Sequence, residues 1–520
     1  MQFKSYVLSN ILVRKIKQKG VNIAIACGAT LLLCNVSYAE TVSLGGGGTD
    51  SWTATCRGWL CNLGGSAAYD TINIQGGDGS GSYNFDSIRM QTNNFGGSVT
   101  LDINSDRPDS GKITIGDLHT WSTGTFVAVN TLNVNADTYI KSLRYLYSWA
   151  APNKGYLDVN VGSNGNGSYT KDLQVDNISF EHNGLHTNQG TIALRANNIT
   201  LGTVAGRLSH ILNVEADGNI TANNVYFDGV SGVGGFATIP KSSISFTAKG
   251  GSFMANSVTG MGHSNVWVKA RDQVKIENVS FIVDICITEA CAGLIQLEST
   301  NSDVIVGSVS GGTSNESGIG SFNTLKVIGN NFYAGHVEAI SLVTALNNSY
   351  LDLSGVRDTT FIDNLEFRNG TLKAQDFHFN NFTVWKANAN RVGFEHPTDG
   401  SAYTSVTTNI GKSFINYLSM ELGTSDTADF AALWFKGGGD ILNINLIDAR
   451  ATSYINFGSI NNVNVDTLNG IETSIYMKNG IFNTITNKKG QTAIASNTKI
   501  VANALNVNEL LHIKDSSKHS

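Results

Sequence analysis

Ten histidines are scattered over the 520 residues, and only His182-Asn-Gly-Leu-His186 has a spacing that zinc chemistry uses. A zinc protease needs H-E-x-x-H on a helix, with the glutamate as general base. Here Glu is absent and Gly184 breaks the turn, so the pair reads as loop histidines at the surface. Gly411-Lys412-Ser413 ends like a phosphate-binding loop, yet Val406 stands where the first glycine is required. No G-x-S-x-G nucleophile elbow is present. Sugar-cleaving sites need converging carboxylates with a basic partner. The nearest approach is Asp358 and Asp363, flanked by Arg357 and Arg368. This group reads first as surface charges at a turn and second as a sugar site. The chain therefore shows no catalytic residues, no cofactor site and no metal site, and is not read as an enzyme.

Cys56 and Cys61, and Cys286 and Cys291, form two close pairs with four residues between the thiols. In an oxidising compartment each pair is a candidate local disulfide. Such small loops stabilise little.

Glycine is abundant (56 residues, about 11%), proline nearly absent (4), and only 15% of residues are charged. No three-residue glycine period exists, which excludes collagen. Hydrophobic residues recur along the whole chain, against broad disorder. Alternating runs such as TINIQ (71–75), TLNVNAD (131–137), YLDVNVG (156–162) and ILNINLIDA (441–449) have the period of half-buried strands. Asn-Gly, Asn-Asn and Gly-Gly lie between them, residues that tolerate positive φ at turns. ANALNVNELLHI (502–513) alone resembles a short helix. Separate β-sandwiches would need domain breaks that are not seen. The pattern predicts an all-β parallel β-helix, or solenoid, with coils of about 22 residues. Stacked Asn side chains are expected to form ladders at its turns.

Residues 1–20 carry five basic residues and no acid, followed by an apolar run (21–36) and Ser37-Tyr38-Ala39. This is a Sec signal peptide with a long charged region, cleaved between Ala39 and Glu40. Its removal takes 35 basic residues to 30 against 41 acidic, a balance of −11. Nucleic-acid binding, which needs a basic stripe, is excluded. The organisation expected is a signal peptide (1–39), an N-terminal cap (40–66) holding Trp52, Trp59 and the first cysteine pair, a β-helical body (67–500) and a tail (501–520).

Residues 351–386, LDLSGVRDTTFIDNLEFRNGTLKAQDFHFNNFTVWK, resemble part of the passenger of vacuolating cytotoxin (VacA) autotransporters. The likeness continues through INYLSMELGT (415–424), WFKGGGDILNI (434–444) and INFGSINNVNV (455–465). The resemblance implies a right-handed parallel β-helix that faces a host cell, binds a surface receptor or glycan, and can assemble into homo-oligomers. The mature start ETVSLGGGGTDSWTATCRGWLC lacks the apolar G-x-x-x-G segment of the toxin, so colonisation is expected before pore formation. The outer-membrane barrel of autotransporters is not seen before residue 520. An exported, surface-exposed or secreted passenger is the leading expectation; the chain would be periplasmic if no barrel accompanies it. A β-helical polysaccharide lyase or hydrolase, and an adhesin without toxin ancestry, are the alternatives.

Overall fold

The computed structural model describes residues 38–513 apart from 46–48, 56–66, 76–80, 93–96, 123–127, 148–154, 183–189, 208–209, 229–241, 262–263, 283–292, 311–323, 341–348, 369, 386–403, 422–430, 451, 497–499 and 507–509. Among the described residues there are strands and turns and no helix. The described residues divide into two compact units, one running to Gly251 and one from Ser252 onward.

In the first unit each strand pairs in parallel with the strand after next. Ala67–Gln75 pairs with Gly97–Ser105, and Tyr83–Thr92 with Lys112–Ser122. One coil thus adds a strand to each of two ladders, which makes the unit a parallel β-helix. The alternation of the sequence explains the packing. In Gly155–Val161 every second residue is buried. The register stacks those inward residues into columns such as Leu101, Leu132, Val159, Leu194, Val214 and Phe246, each at most 1% exposed. Each such side chain contributes about 1.5–3 kcal/mol by leaving water.

Strands of the second ladder bend halfway. The pairing passes from Phe85–Ile115 to Ser87–Asp117, and from Val175–Leu201 to Asn177–Thr203, skipping one position each time. At this corner two successive residues face outward between buried neighbours. Some corners carry glycine because the coils approach closely. A Cβ on Gly202 would lie 2.2 Å from the Asp176 carbonyl oxygen.

The second unit repeats this scheme, with Phe253–Met261 pairing Val274–Ile282 and Ser264–Ala270 pairing Leu294–Ser299. Toward its end the two strands of a coil merge into long ones, Thr404–Glu421 and Ala431–Ala449, which stack along their length. Its core is rich in fully buried rings, among them Phe332, Phe377, Phe379 and Phe382.

Three expectations meet the structure here. Coils are not uniformly about 22 residues: partners are 20 apart from Arg195 to Glu215 and 35 apart from Asn160 to Arg195. Connections at the surface absorb the difference, since lengthening a loop costs little. The described residues of the stretch 502–513 are strands, not a helix. Ile500–Asn506 and Leu510–Ile513 pair in parallel with 480–486 and 492–495, where the exposed edge of the preceding coil overrides local helix preference. Within the expected cap, Tyr38–Gly45 and Thr49–Thr55 pair as ladder strands with Ala67–Gln75 and Tyr83–Thr92, while 56–66 lie outside the described residues.

Candidate ligand-binding face

In the first unit, one outward column on the first ladder reads Thr41, Thr71, Asp102, Asn133, Asn160, Arg195, Glu215 and Thr247. Its middle is a relay of hydrogen bonds. The Asn133 amide donates to Asp102 Oδ1 at 2.8 Å, and the Asn160 amide to Asn133 Oδ1 at 2.9 Å. Arg195 then donates to Asn160 Oδ1 at 3.3 Å. Every bond in this run points the same way, so the dipoles reinforce one another. The expected Asn ladder is therefore present, but on the face of the sheet as well as at the turns. At the turns, Asp172 N–H donates to Asp137, Asn198 N–H to Asp172 and Asn219 N–H to Asn198, at 2.8–3.1 Å.

The neighbouring outward column holds Tyr69, Thr100, Thr131 and Asp158. The exposed Tyr69 donates its hydroxyl to Asp102. Asp158 stands 4.0 Å from Arg195. Burial pushes the Asp158 carboxyl above the usual carboxylate range, with Arg195 opposing.

Beyond Arg195 the charges gather. Lys249 pairs with Glu215 and lies 3.5 Å from Asp217. The hydrogen bond to Glu215 raises the Lys249 ammonium, so the lysine stays charged. Asp217 also accepts the backbone N–H of Tyr169 at 2.6 Å. Tyr169 comes from the turn 162–171, which Asn164 cinches by accepting the N–H groups of Asn166 and Ser168 at 3.0 and 3.2 Å. Gly162, at φ 70°, starts that turn, and a Cβ there would lie 2.5 Å from Lys171 N. Burial raises the Tyr169 phenol, and Arg195, Glu215, Lys249 and Asp217 all act on it. Alternating donors and acceptors, half-exposed on a rigid sheet, suit a ligand rich in hydroxyls, which both gives and takes hydrogen bonds.

The residues singled out from sequence lie elsewhere. Arg357 does not close on Asp358 or Asp363. Its guanidinium donates to Asn330 Oδ1 at 2.7 and 3.0 Å and to the Thr300 carbonyl at 2.7 Å, capping a turn. Asp358 and Asp363 are exposed, and the Arg368 side chain is outside the described set. The N–H groups of Gly411 and Lys412 do hold an anion, but it is the Asp376 carboxylate, at 2.8 and 3.0 Å. Ser413 is buried and accepts the Phe377 N–H at 3.1 Å. His182 ends the strand Leu173–His182, and His186 is not among the described residues. Cys56, Cys61, Cys286 and Cys291 also lie outside them. Ala39 and Glu40 fall within the first strand, opposite Tyr69 and Asp70. Among the described residues no group of three or more His, Cys, Asp or Glu is placed to hold a metal.

Residues 102, 133, 160, 195 and 215 carry no local signature, because they are 20 to 35 positions apart. Only aligning the alternating segments strand by strand, with variable gaps, brings them into one column. Comparison with protein-family models, with curated proteins and with solved structures returns no match for the chain.

Proposed function

We propose that the chain is an exported, vacuolating-cytotoxin-like passenger that binds a hydroxyl-rich receptor, a glycan, on a host surface. The leader-like residues 1–39 and the series 351–465 support the export and passenger parts of this reading. The observation that carries the binding part is the one-way relay from Arg195 to Asp102, with Tyr69 and Asp158 beside it. Such a row is pre-organised: its side chains are already ordered by one another, so little entropy is lost on binding. Colonisation through attachment follows, with assembly into homo-oligomers as the accompanying proposal.

The test is binding of the exported chain to cultured host cells and to an array of glycans. Substituting Asn133→Ala together with Arg195→Ala should abolish most of the signal while the β-sheet circular dichroism persists. Undiminished binding by that variant would move the receptor site off this face.

A second reading, glycan hydrolysis, draws on one specific observation. Asp158 is pushed toward its protonated form while Glu215 is paired with Lys249. Glycosidic cleavage uses a protonated carboxyl and an ionised one, and these two lie on the same face two strands apart. Release of reducing ends from a polysaccharide panel, lost in Asp158→Asn, would favour it over simple attachment.

A further inference from the structure

The second ladder of the first unit carries a different chemistry. Thr53, Arg89, His119, Arg144 and Ser179 share one outward column over five successive strands. Three of them are basic and consecutive, spaced one strand apart, or about 4.8 Å per step. The parallel outward column beside them reads Ser87, Asp117 and Ser142, which places the Asp117 carboxylate next to the three basic residues.

That carboxylate acts as a brace. Asp117 Oδ1 accepts Arg144 Nε at 2.8 Å, and Oδ2 accepts a terminal guanidinium nitrogen at 2.5 Å. The same Oδ2 lies 2.9 Å from His119 Nδ1. A two-point contact fixes the guanidinium plane, and the bond to Nδ1 fixes the ring, turning Nε2 to the side away from Asp117. Arg144, His119 and Asp117 are 33, 15 and 24% exposed, so water screens them less than it would an open surface. This concentration of fixed cations occurs in a chain whose net charge is −6.

We propose that Arg89, His119 and Arg144 form a site for a tetrahedral oxyanion, presented by a glycan as a sulfate ester. A tetrahedral anion offers acceptors in several directions, matching donors that arrive from three strands. A planar carboxylate offers two and would duplicate Asp117. The site is independent of the face centred on Asn160, and its ligand is recognised by charge, not by hydroxyl pattern.

Burial lowers the His119 imidazole, Asp117 opposes that, and Arg144 and Arg89 reinforce it. Among the described residues, the strands paired on either side of His119 also carry Asp86 and Lys141. A bound anion stabilises the imidazolium, so binding takes up a proton and strengthens as pH falls. The full chain titrated with sodium sulfate at constant ionic strength, followed by the His119 ring resonances, provides the test. Saturable shifts with sulfate and none with chloride or acetate are expected. Arg89→Gln, which leaves the Asp117–Arg144 pair intact, should weaken sulfate by about tenfold, the worth of one charge-assisted hydrogen bond. His119→Gln should remove the pH dependence. Inorganic phosphate, which changes its own charge near neutral pH, separates the ligand's titration from the protein's. A sulfated oligosaccharide should then bind at least about tenfold tighter than its desulfated form, a gap of one such contact. Equal shifts with chloride, or unchanged sulfate affinity in Arg89→Gln, would overturn the site.

Discussion

Two outward columns, one in each unit, stack their coils by different means. In the first unit Asp102, Asn133, Asn160 and Arg195 are joined by directional hydrogen bonds. In the second, Ile305, Tyr333, Phe361, His378 and Phe414 follow one another up the sheet. Tyr333 and Phe361 are stacked with centroids 5.1 Å apart, and Phe414 meets His378 edge-on at 4.7 Å. The interior is apolar behind both columns. The difference teaches that inward residues hold the coil register, while the outward column is free to carry whatever chemistry the surface uses. Amides and charges hold partners by polarity and direction; rings hold theirs by dispersion and shape.

The largest effect expected lies behind the columns. Phe379 is fully buried among Phe377 and Phe382, so Phe379→Ala should destabilise the second unit by about 3–5 kcal/mol. A denaturant midpoint that barely moves would show that the outward rings, not the core, hold that unit.

Next come the corners. Gly202→Val places carbon against the backbone carbonyl of Asp176, not against a movable side chain, and should cost about 1–3 kcal/mol. Gly438→Ala has nothing within 4 Å of its new Cβ and should stay within about 0.5 kcal/mol. Equal effects would remove the close-approach explanation for the corner glycines.

The columns themselves rank third. Asn160→Ala strips Asn133 and Arg195 of a partner and should cost about 1 kcal/mol. Phe361→Ala breaks the stack on Tyr333, worth about 0.5–1.5 kcal/mol beyond the area lost. Urea melts of both variants sharpen the contrast, because only the polar column should also lose ligand affinity.

The smallest effect is a pH slope. Asp158 has a folded pKa above its unfolded one, so the folded state holds the proton more tightly. Its contribution to stability is full below the ordinary carboxylate pKa and declines as pH rises through the raised value. Asp117 runs the other way: burial raises it, but Arg144 and His119 outweigh burial and lower it. Its stabilisation is present above the ordinary carboxylate pKa and fades as pH falls through the lowered value. Asp158→Asn should therefore flatten the loss on the neutral side and leave the acid side unchanged in thermal melts taken from pH 3 to pH 8.

Much of the fold is legible in the residue order. Runs such as YLDVNVG and ILNINLIDA alternate with the period of a strand, and their buried residues are the apolar ones. The sites were not legible, because clustering in sequence is a poor guide on a coil. Asp358 and Asp363 are near neighbours in the chain, yet Arg357 turns away to cap Asn330. Asp117 and Arg144 are 27 positions apart, yet they meet at hydrogen-bond distance. Segment 502–513 misled for a related reason: its helical look is local, whereas the free edge of the coil before it is not.

Composition and alternation alone determined that this chain forms short strands with one apolar side, since a period of two is enforced by the backbone of each segment. Which residues share a column was decided only by the tertiary structure. Variable connections set each strand's partner, and the partner's register then selects the neighbours that a side chain can touch.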